Sequence, residues 1–372
     1  MMEKTEALFC IGCGAKIQTT DENSAGYTQP SVLQQGIESG EIYCKRCFRL
    51  RNYNEIQDVN IEDDEFLKLL NEVGQSDSLI VNVIDIFDFN GSLIPGLNRF
   101  AGKNPILMIA NKRDILPKSL KDGKIRQWLM ESAHQAGLKP IDVLLISAKK
   151  KHEMERVVAL LEKYRQGKDV YVVGVTNVGK STLINQIINY TTGEDNLITT
   201  SRFPGTTLDK IEIPLSDGHF IYDTPGIIHR HQMAHLLGAK DLRIIAPQKE
   251  IKPKTYQLNA EQSLFMGGLA RFDFVQGERQ SFTAYFANDL NIHRTKLAKA
   301  NQFYQQHLGG LLQPPRKEEV ADFPELVRHE FSIKEKSDIV FSGLGWISVK
   351  SKAIIHAWVP KGVSVVIRKA LI

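Results

Sequence analysis

Gly174-Val175-Thr176-Asn177-Val178-Gly179-Lys180-Ser181 fits the pattern G-x-x-x-x-G-K-[ST]. It follows an apolar, strand-like run from Asp169 to Val173 and opens a helical one that reaches Asn189. Such a turn lets backbone N–H groups wrap phosphate oxygens. Lys180 reaches the β- and γ-phosphates, the Ser181 hydroxyl ligates Mg²⁺, and the helix dipole adds positive charge. At average composition the pattern arises by chance in about one chain in a hundred of this length, so it needs company.

Asp223 ends a second apolar run and opens Asp223-Thr224-Pro225-Gly226. A carboxylate there holds Mg²⁺ through water, and Gly226 offers its N–H to a γ-phosphate without a side-chain clash. Thr207, in Pro204-Gly205-Thr206-Thr207, lies in a long loop of the kind that brings a hydroxyl to the metal only while γ-phosphate is present. Taken alone, Pro204-Gly205 is a plain turn.

Asn111-Lys112-Arg113-Asp114 follows another buried run. The Asp114 carboxylate accepts from both N1–H and N2–H₂ of guanine, a donor pair that adenine lacks. Asn111 braces the loop and bonds the base, and the Lys112 stem covers the ring face. Ser147-Ala148-Lys149 follows a further run, with the Ala148 N–H expected to meet guanine O6. Each short motif is weak alone; their succession at strand ends makes coincidence remote.

A second chemistry sits near the N-terminus. The chain's four cysteines form two C-x-x-C pairs, Cys10 with Cys13 and Cys44 with Cys47. Two such knuckles complete a four-thiolate Zn²⁺ shell that leaves no open position for catalysis. Gly12 and Gly14 suit the tight turn. The 30 residues between the pairs favour a treble-clef-like arrangement over a simple ribbon. Disulfides need an export signal, which Met1 to Ile11 does not supply, and a thioredoxin-like pair needs a strand and helix beside it. Lys45 to Tyr53 mixes cations with aromatics, which suits RNA contact and a solvated basic face equally.

The elements around the motifs alternate. Helical patterns cover Asp64 to Val73, Lys121 to Ala136 and Glu153 to Arg165. Strand patterns cover Ser78 to Asp85, Pro105 to Ala110, Ile141 to Ile146, Lys210 to Pro214 and His219 to Tyr222. Alternation of this kind predicts an α/β fold with a mostly parallel sheet. The 372 residues exceed one ordinary core and predict several domains. With 42% hydrophobic and 24% charged residues, and no apolar run near a membrane span, the composition is that of a globular, non-membrane protein.

In type these residues resemble the signature motifs of Ras-like, translation-factor-related GTPases, but in rotated chain order. The usual order is phosphate loop, switch threonine, D-x-x-G, N-K-x-D, S-A-K; here the last two come first. With the finger and a basic C-terminal region, the chain is similar to the YqeH family of circularly permuted bacterial GTPases of 30S ribosome assembly. The resemblance implies a phosphate loop of Gly174, Asn177, Gly179, Lys180, Ser181 and Thr182. It makes Thr207 the switch threonine, Asp223 and Gly226 switch II, and Asn111, Lys112 and Asp114 the base motif. It implies GTP or GDP with Mg²⁺ on Ser181, Thr207 and Asp223, and catalytic roles for Lys180, Asn177 and Thr207. Asn177 stands where potassium-activated members carry asparagine, which implies a K⁺ ligand; the plainer reading is an Asn that shapes the turn. Ile227 replaces the water-orienting glutamine of Ras, so slow intrinsic turnover is expected.

The expected domains are the finger over 1–54, the permuted GTPase domain over 55–228, and a mixed, β-rich domain over 229–372. Its predicted strands are Leu264 to Phe274, Gln280 to Asn288, Ile339 to Ser348, Ala353 to Val359 and Val363 to Ile367, with a helix over His293 to Leu308 and no internal repeat. Residues 228–372 hold 21 Lys+Arg against 13 Asp+Glu, while 1–227 hold 26 against 30. The basic part suits an RNA partner, rRNA in the 30S subunit. Residue by residue, Lys350, Lys352, Lys361, Arg368, Lys369, Trp346 and Trp358 read as core tryptophans and solvated cations. The leading expectation is a cytoplasmic, monomeric assembly GTPase. The alternative is a signalling-type switch whose finger and C-terminal domain bind proteins.

Overall fold

The structure, a computed structural model, describes residues 8–11, 15–22, 24, 26–39, 42–53, 60–61, 63–191, 205–206, 211–227 and 231–372. The expectations for Gly12, Cys13, Gly14, Pro204 and Thr207 fall outside them. The chain divides into two compact units. The first comprises Met1–Ile86, Ser92–Arg113 and Leu129–Ile228, and the second Phe87–Gly91, Asp114–Trp128 and His229–Ile372.

The first unit carries helices α1 (Pro30–Ser39), α2 (Lys45–Tyr53) and α3 (Asp63–Gln75), then β1 (Ser78–Asp85) and β2 (Ile106–Asn111). Helix α4 (Asp122–Gln135), whose residues up to Trp128 belong to the second unit, β3 (Asp142–Leu145), α5 (Met154–Arg165), β4 (Asp169–Val173), α6 (Lys180–Thr191), β5 (Ile211–Pro214) and β6 (Phe220–Asp223) follow. They build one sheet in the order β3-β2-β1-β4-β6-β5, with the short strand Gly205–Thr206 on the far edge. The first five are parallel and the last two pairings antiparallel. Continuous apolar runs form the central strands because both faces are covered: Leu79, Ile80, Val81, Val83 and Ile84 of β1 are all buried. Each such side chain contributes about 1.5–3 kcal/mol. The motif-bearing loops all leave the C-terminal ends of β2, β3, β4 and β6, where an open α/β sheet forms its binding crevice.

The second unit is a sandwich of two five-stranded antiparallel sheets. Its strands are β7 (Lys254–Leu258), β8 (Gln262–Met266), β9 (Ala270–Gln276), β10 (Gln280–Phe286) and β11 (Ile292–Lys296). Helix α7 (Ala300–His307) intervenes before β12 (Leu326–Ile333), β13 (Ser337–Phe341), β14 (Gly345–Val349), β15 (Ala353–Pro360) and β16 (Val365–Lys369). The sheets run β7-β10-β14-β13-β16 and β11-β8-β9-β15-β12. Inward residues of both, including Leu264, Phe272, Phe274, Phe282, Phe341, Ile347 and Ile355, form one core.

Three expectations change here. Leu264 to Phe274 and Ile339 to Ser348 are each a hairpin, turning at Gly267-Gly268-Leu269 and Ser342-Gly343-Leu344. The helix expected from His293 covers only Ala300–His307, because Ile292–Lys296 pairs with β8 as a strand. The second unit also contains an internal repeat. Matching β7–β11 with β12–β16 turns one sheet order into the other read backwards, so each sheet takes two strands from one repeat and three from the other.

Individual bonds follow the same match. Gly267 N–H donates to Asn291 O at 2.9 Å and Ser342 N–H to Ser364 O at 3.1 Å; Leu290 N–H donates to Ala287 O and Val363 N–H to Pro360 O. The facing pair Ser263–Asp273 corresponds to Asp338–Ser348 with serine and aspartate exchanged. The hydroxyl donates to the carboxylate at 2.6 Å in one and 2.5 Å in the other. Burial pushes the Asp338 carboxyl up and the neighbouring Arg368 guanidinium down, while their mutual attraction opposes both shifts.

Candidate functional site

The phosphate loop leaves β4 and lies along the segment after β6. Thr176 N–H donates to Ile227 O at 2.8 Å and Ile227 N–H to Gly174 O at 3.3 Å. Gly226 is packed so closely that a Cβ there would meet Thr176 Cγ2 at 3.1 Å. A change at the D-x-x-G segment is therefore felt directly by the loop. Lys180 and Asp223 are both buried, with Nζ 2.5 Å from Oδ1. Each neutralises the other, as two buried charges must. Ser181 is buried at the start of α6, Asn177 and Thr182 are exposed, and Val178 is buried beneath the loop. Asn177 takes a left-handed φ of 64°, which asparagine tolerates well.

The base motif grips this loop from below. Asn111 Nδ2 donates to Val178 O at 2.8 Å, and Asn111 Oδ1 accepts from Ala148 N–H at 2.8 Å. One buried side chain thus joins the ends of three strands. Gly179, with φ +90°, passes so near that a Cβ would lie 2.4 Å from Asn111 Nδ2. Lys112 Nζ donates to Asp85 Oδ2 at 2.6 Å and to Asn177 O at 2.7 Å, tying β1 to the phosphate loop. Asp85, at the end of β1, belongs to none of the sequence motifs; its place at a strand end beside the motif strands is the signal that marks it. Ser147 N–H donates to Glu153 Oε2 at 2.8 Å, and Lys149 is exposed. The Ala148 N–H, expected to meet guanine O6, is the one that donates to Asn111 Oδ1. Asp114 lies half-buried in the 3₁₀ turn Arg113–Ile115 and opens the second unit's segment Asp114–Trp128.

The Sγ atoms of Cys10, Cys44 and Cys47 are buried within 4.8 Å of one another. Tetrahedral zinc with bonds of about 2.3 Å spaces its sulfurs about 3.8 Å apart, so the cluster fits. Cys10 N–H donates to Ala15 O at 2.8 Å, and Cys44 N–H donates to Cys10 Sγ at 3.2 Å. Cys47 sits in the first turn of α2. In α2, Arg46 is buried while Phe48 and Arg49 are exposed. In the second unit Trp346 and Arg368 are buried, whereas Lys350, Lys352, Lys361 and Lys369 are exposed. Among the described residues no helix is long and apolar enough to cross a membrane.

Residues 169–261 match the family described as 50S ribosome-binding GTPase, so the phosphate loop and switch region belong to a GTPase domain. Residues 279–371 match the YqeH-like C-terminal domain. The chain is 56% identical to YqeH of Bacillus subtilis (strain 168) over 369 residues, 99% of this chain and 100% of that protein. It is 30% identical to NO-associated protein 1, chloroplastic/mitochondrial, of Arabidopsis thaliana over 394 residues, 93% of this chain and 70% of that one. GTPase Der of Methylococcus capsulatus is 29% identical over 188 residues, 45% and 37% of the two chains. The chain belongs to the YqeH family.

Proposed function

We propose that the chain is a GTP-hydrolysing assembly factor of the small (30S) ribosomal subunit, built on a circularly permuted GTPase domain, with hydrolysis timing its release. The observation that carries the nucleotide reading is Asn111, whose amide ties the N-K-x-D loop to Val178 of the phosphate loop and to Ala148 of the S-A-K loop. The three motifs belong to one site although the phosphate loop comes last of them in the chain. The family match that begins at Asp169, after both base motifs, supports the rotated order. Strand ends and not chain order assemble such a site, and nearby termini make permutation tolerable.

In this reading Asp114 reads guanine N1–H and N2–H₂. Backbone N–H groups from Gly174 to Ser181 hold the β-phosphate, with Thr182 at its edge. Lys180 exchanges Asp223 for the β- and γ-phosphates. Ser181, Thr207 and, through water, Asp223 would hold Mg²⁺, which would supply positive charge against the phosphates. Gly226 N–H senses the γ-phosphate. Ile227 cannot orient water by hydrogen bonding, so turnover is slow. Asn177 Oδ1, exposed at the crest of the loop, is the ligand for K⁺. Zn²⁺ on Cys10, Cys13, Cys44 and Cys47 is structural.

The RNA part rests on charge and family. Lys334, Lys336, Lys350, Lys352 and Arg279 are all exposed, on turns that adjoin through the Ile333–Ala353 and Ser337–Val349 pairings and the Gln280–Lys352 bond. Co-sedimentation with 30S subunits in non-hydrolysable GTP analogue, GDP and no nucleotide, across a salt series, tests this. Binding that weakens steeply with salt supports the rRNA partner. Salt-insensitive binding, or none, favours the signalling-type switch with protein partners.

A further inference from the structure

The second unit uses one device twice. On the outer face of the sheet β11-β8-β9-β15-β12, Arg271 pairs with buried Asp273 at 2.6 Å and lies over Trp358, 4.9 Å from its ring centre. Its Nη1 donates to Asn301 Oδ1 of helix α7 at 2.6 Å, and Phe303 of α7 packs on Phe265. The other sheet carries the counterpart: Arg368, 3.6 Å from buried Asp338, lies between Trp346 and Trp128 at 5.2 and 4.8 Å. Its Nη1 donates to Asn90 Oδ1 at 3.1 Å, and Phe87 packs on Trp346. Each face is a clamp in which a guanidinium takes an asparagine and a ring takes a phenylalanine. One clamp holds helix α7. The other holds Phe87–Gly91, where Gln232 Nε2 also donates to Asp88 Oδ2 and Gly91 O, both at 2.9 Å.

The segments that the second clamp holds follow β1 and the base motif. Phe87 is two residues beyond Asp85, the partner of Lys112. Asp114 itself is followed by Ile115, whose carbonyl accepts from Ile251 N–H at 2.9 Å, and by Lys118, whose N–H donates to Glu250 Oε1 at 2.8 Å. Trp128 closes that segment, donating to Lys369 O at 3.0 Å.

We propose that the second unit, through Arg368 and Glu250, positions the base-reading residues and so sets the rate at which guanine nucleotide leaves. This deepens the GTP-binding reading and rests on it. Arg368 and Glu250 are positioning residues: they act along the peptide chain, on Lys112 through Asp85 and on Asp114 through the segment that ends in Lys118. A ligand that loosens the clamp would speed exchange with no contact to the nucleotide, and nucleotide would by reciprocity oppose that ligand.

The duplication supplies the control. Lysine cannot reproduce a stacked, forked guanidinium, so Arg368→Lys and Arg271→Lys cripple one clamp each in the same domain. Stopped-flow release of fluorescent GDP from the full chain, with IDP (which lacks the 2-amino group) as competitor, reads the result. Arg368→Lys should release GDP at least tenfold faster and lose most of its preference for GDP over IDP, with Arg271→Lys within twofold of the parent. Glu250→Ala should act in the same direction and covers the case in which Arg368→Lys fails to fold. Unchanged release in a folded Arg368→Lys or Glu250→Ala variant, or equal acceleration by Arg271→Lys, would overturn the proposal. A parent protein that binds GDP and IDP equally would instead remove the base-site reading beneath it.

Discussion

Asn111 Nδ2 donates to the carbonyl oxygen of Val178 at 2.8 Å, so the loop expected to read the base also supports the loop expected to hold the phosphates. Gly179 makes that bond possible. A methyl group there would stand 2.4 Å from Asn111 Nδ2, on a backbone whose φ of +90° already excludes most side chains. Gly179→Ala should therefore fold, since the sheet is untouched, yet lose GTP affinity by at least tenfold, about 1.4 kcal/mol. Titration calorimetry beside a melting curve checks both halves.

Asp114→Asn should lose GTP affinity and gain affinity for xanthosine triphosphate, because the exchanged donor and acceptor match the altered base edge. Wild-type-like GTP binding in this variant would take Asp114 out of the base site.

Metal analysis of protein purified without chelator should give one zinc per chain. With three sulfurs already gathered, Cys44→Ser should loosen the N-terminal finger, seen as faster proteolysis before residue 54, while GTP binding persists. Zinc-free native protein would refute this.

Turnover should be faster in K⁺ than in Na⁺ at equal ionic strength, with Asn177→Ala removing the difference. A cation beside the phosphates supplies the charge an arginine finger would. Equal rates in the two salts would leave Asn177 as a residue that only shapes its left-handed turn.

Nucleotide state should change 30S affinity by about 1–3 kcal/mol, the usual scale of allosteric coupling. Gly226 and Ile227 lie directly against the phosphate loop, and the second unit's largest segment begins at His229. Binding curves that superimpose in GTP analogue and in GDP would mean the connection carries no signal.

Much of the nucleotide site was legible because its chemistry is local. A glycine-rich turn after a buried strand, an aspartate at a strand end and an N-K-x-D tetrapeptide each declare a function within a few residues. The strands that carry them are continuous apolar runs; Ser78–Asp85 and Asp169–Val173 begin and end where the side-chain pattern puts them. What the tertiary structure decided is long-range pairing. That Asn111 spends its carbonyl on Ala148 N–H depends on two strand ends meeting, which no local pattern encodes.

The C-terminal repeat shows the same limit more plainly. Its halves share little beyond Gly268 with Gly343, Leu269 with Leu344, Ala284 with Ala357 and Lys296 with Lys369. The offset drops from 75 to 73 residues because β14, with five residues, is two shorter than its counterpart β9, with seven, and helix α7 interrupts the period. An apolar run such as Leu264 to Phe274 reads as one strand because Gly267-Gly268 can extend as well as turn; only pairing with β11 on one side and β15 on the other makes it a hairpin. Residue types alone determined which surfaces had to be buried. The exchange of strands between repeats determined what buried them, so Trp346, read from the sequence as core, and Arg368, read as solvated, both became part of a clamp on Phe87–Gly91.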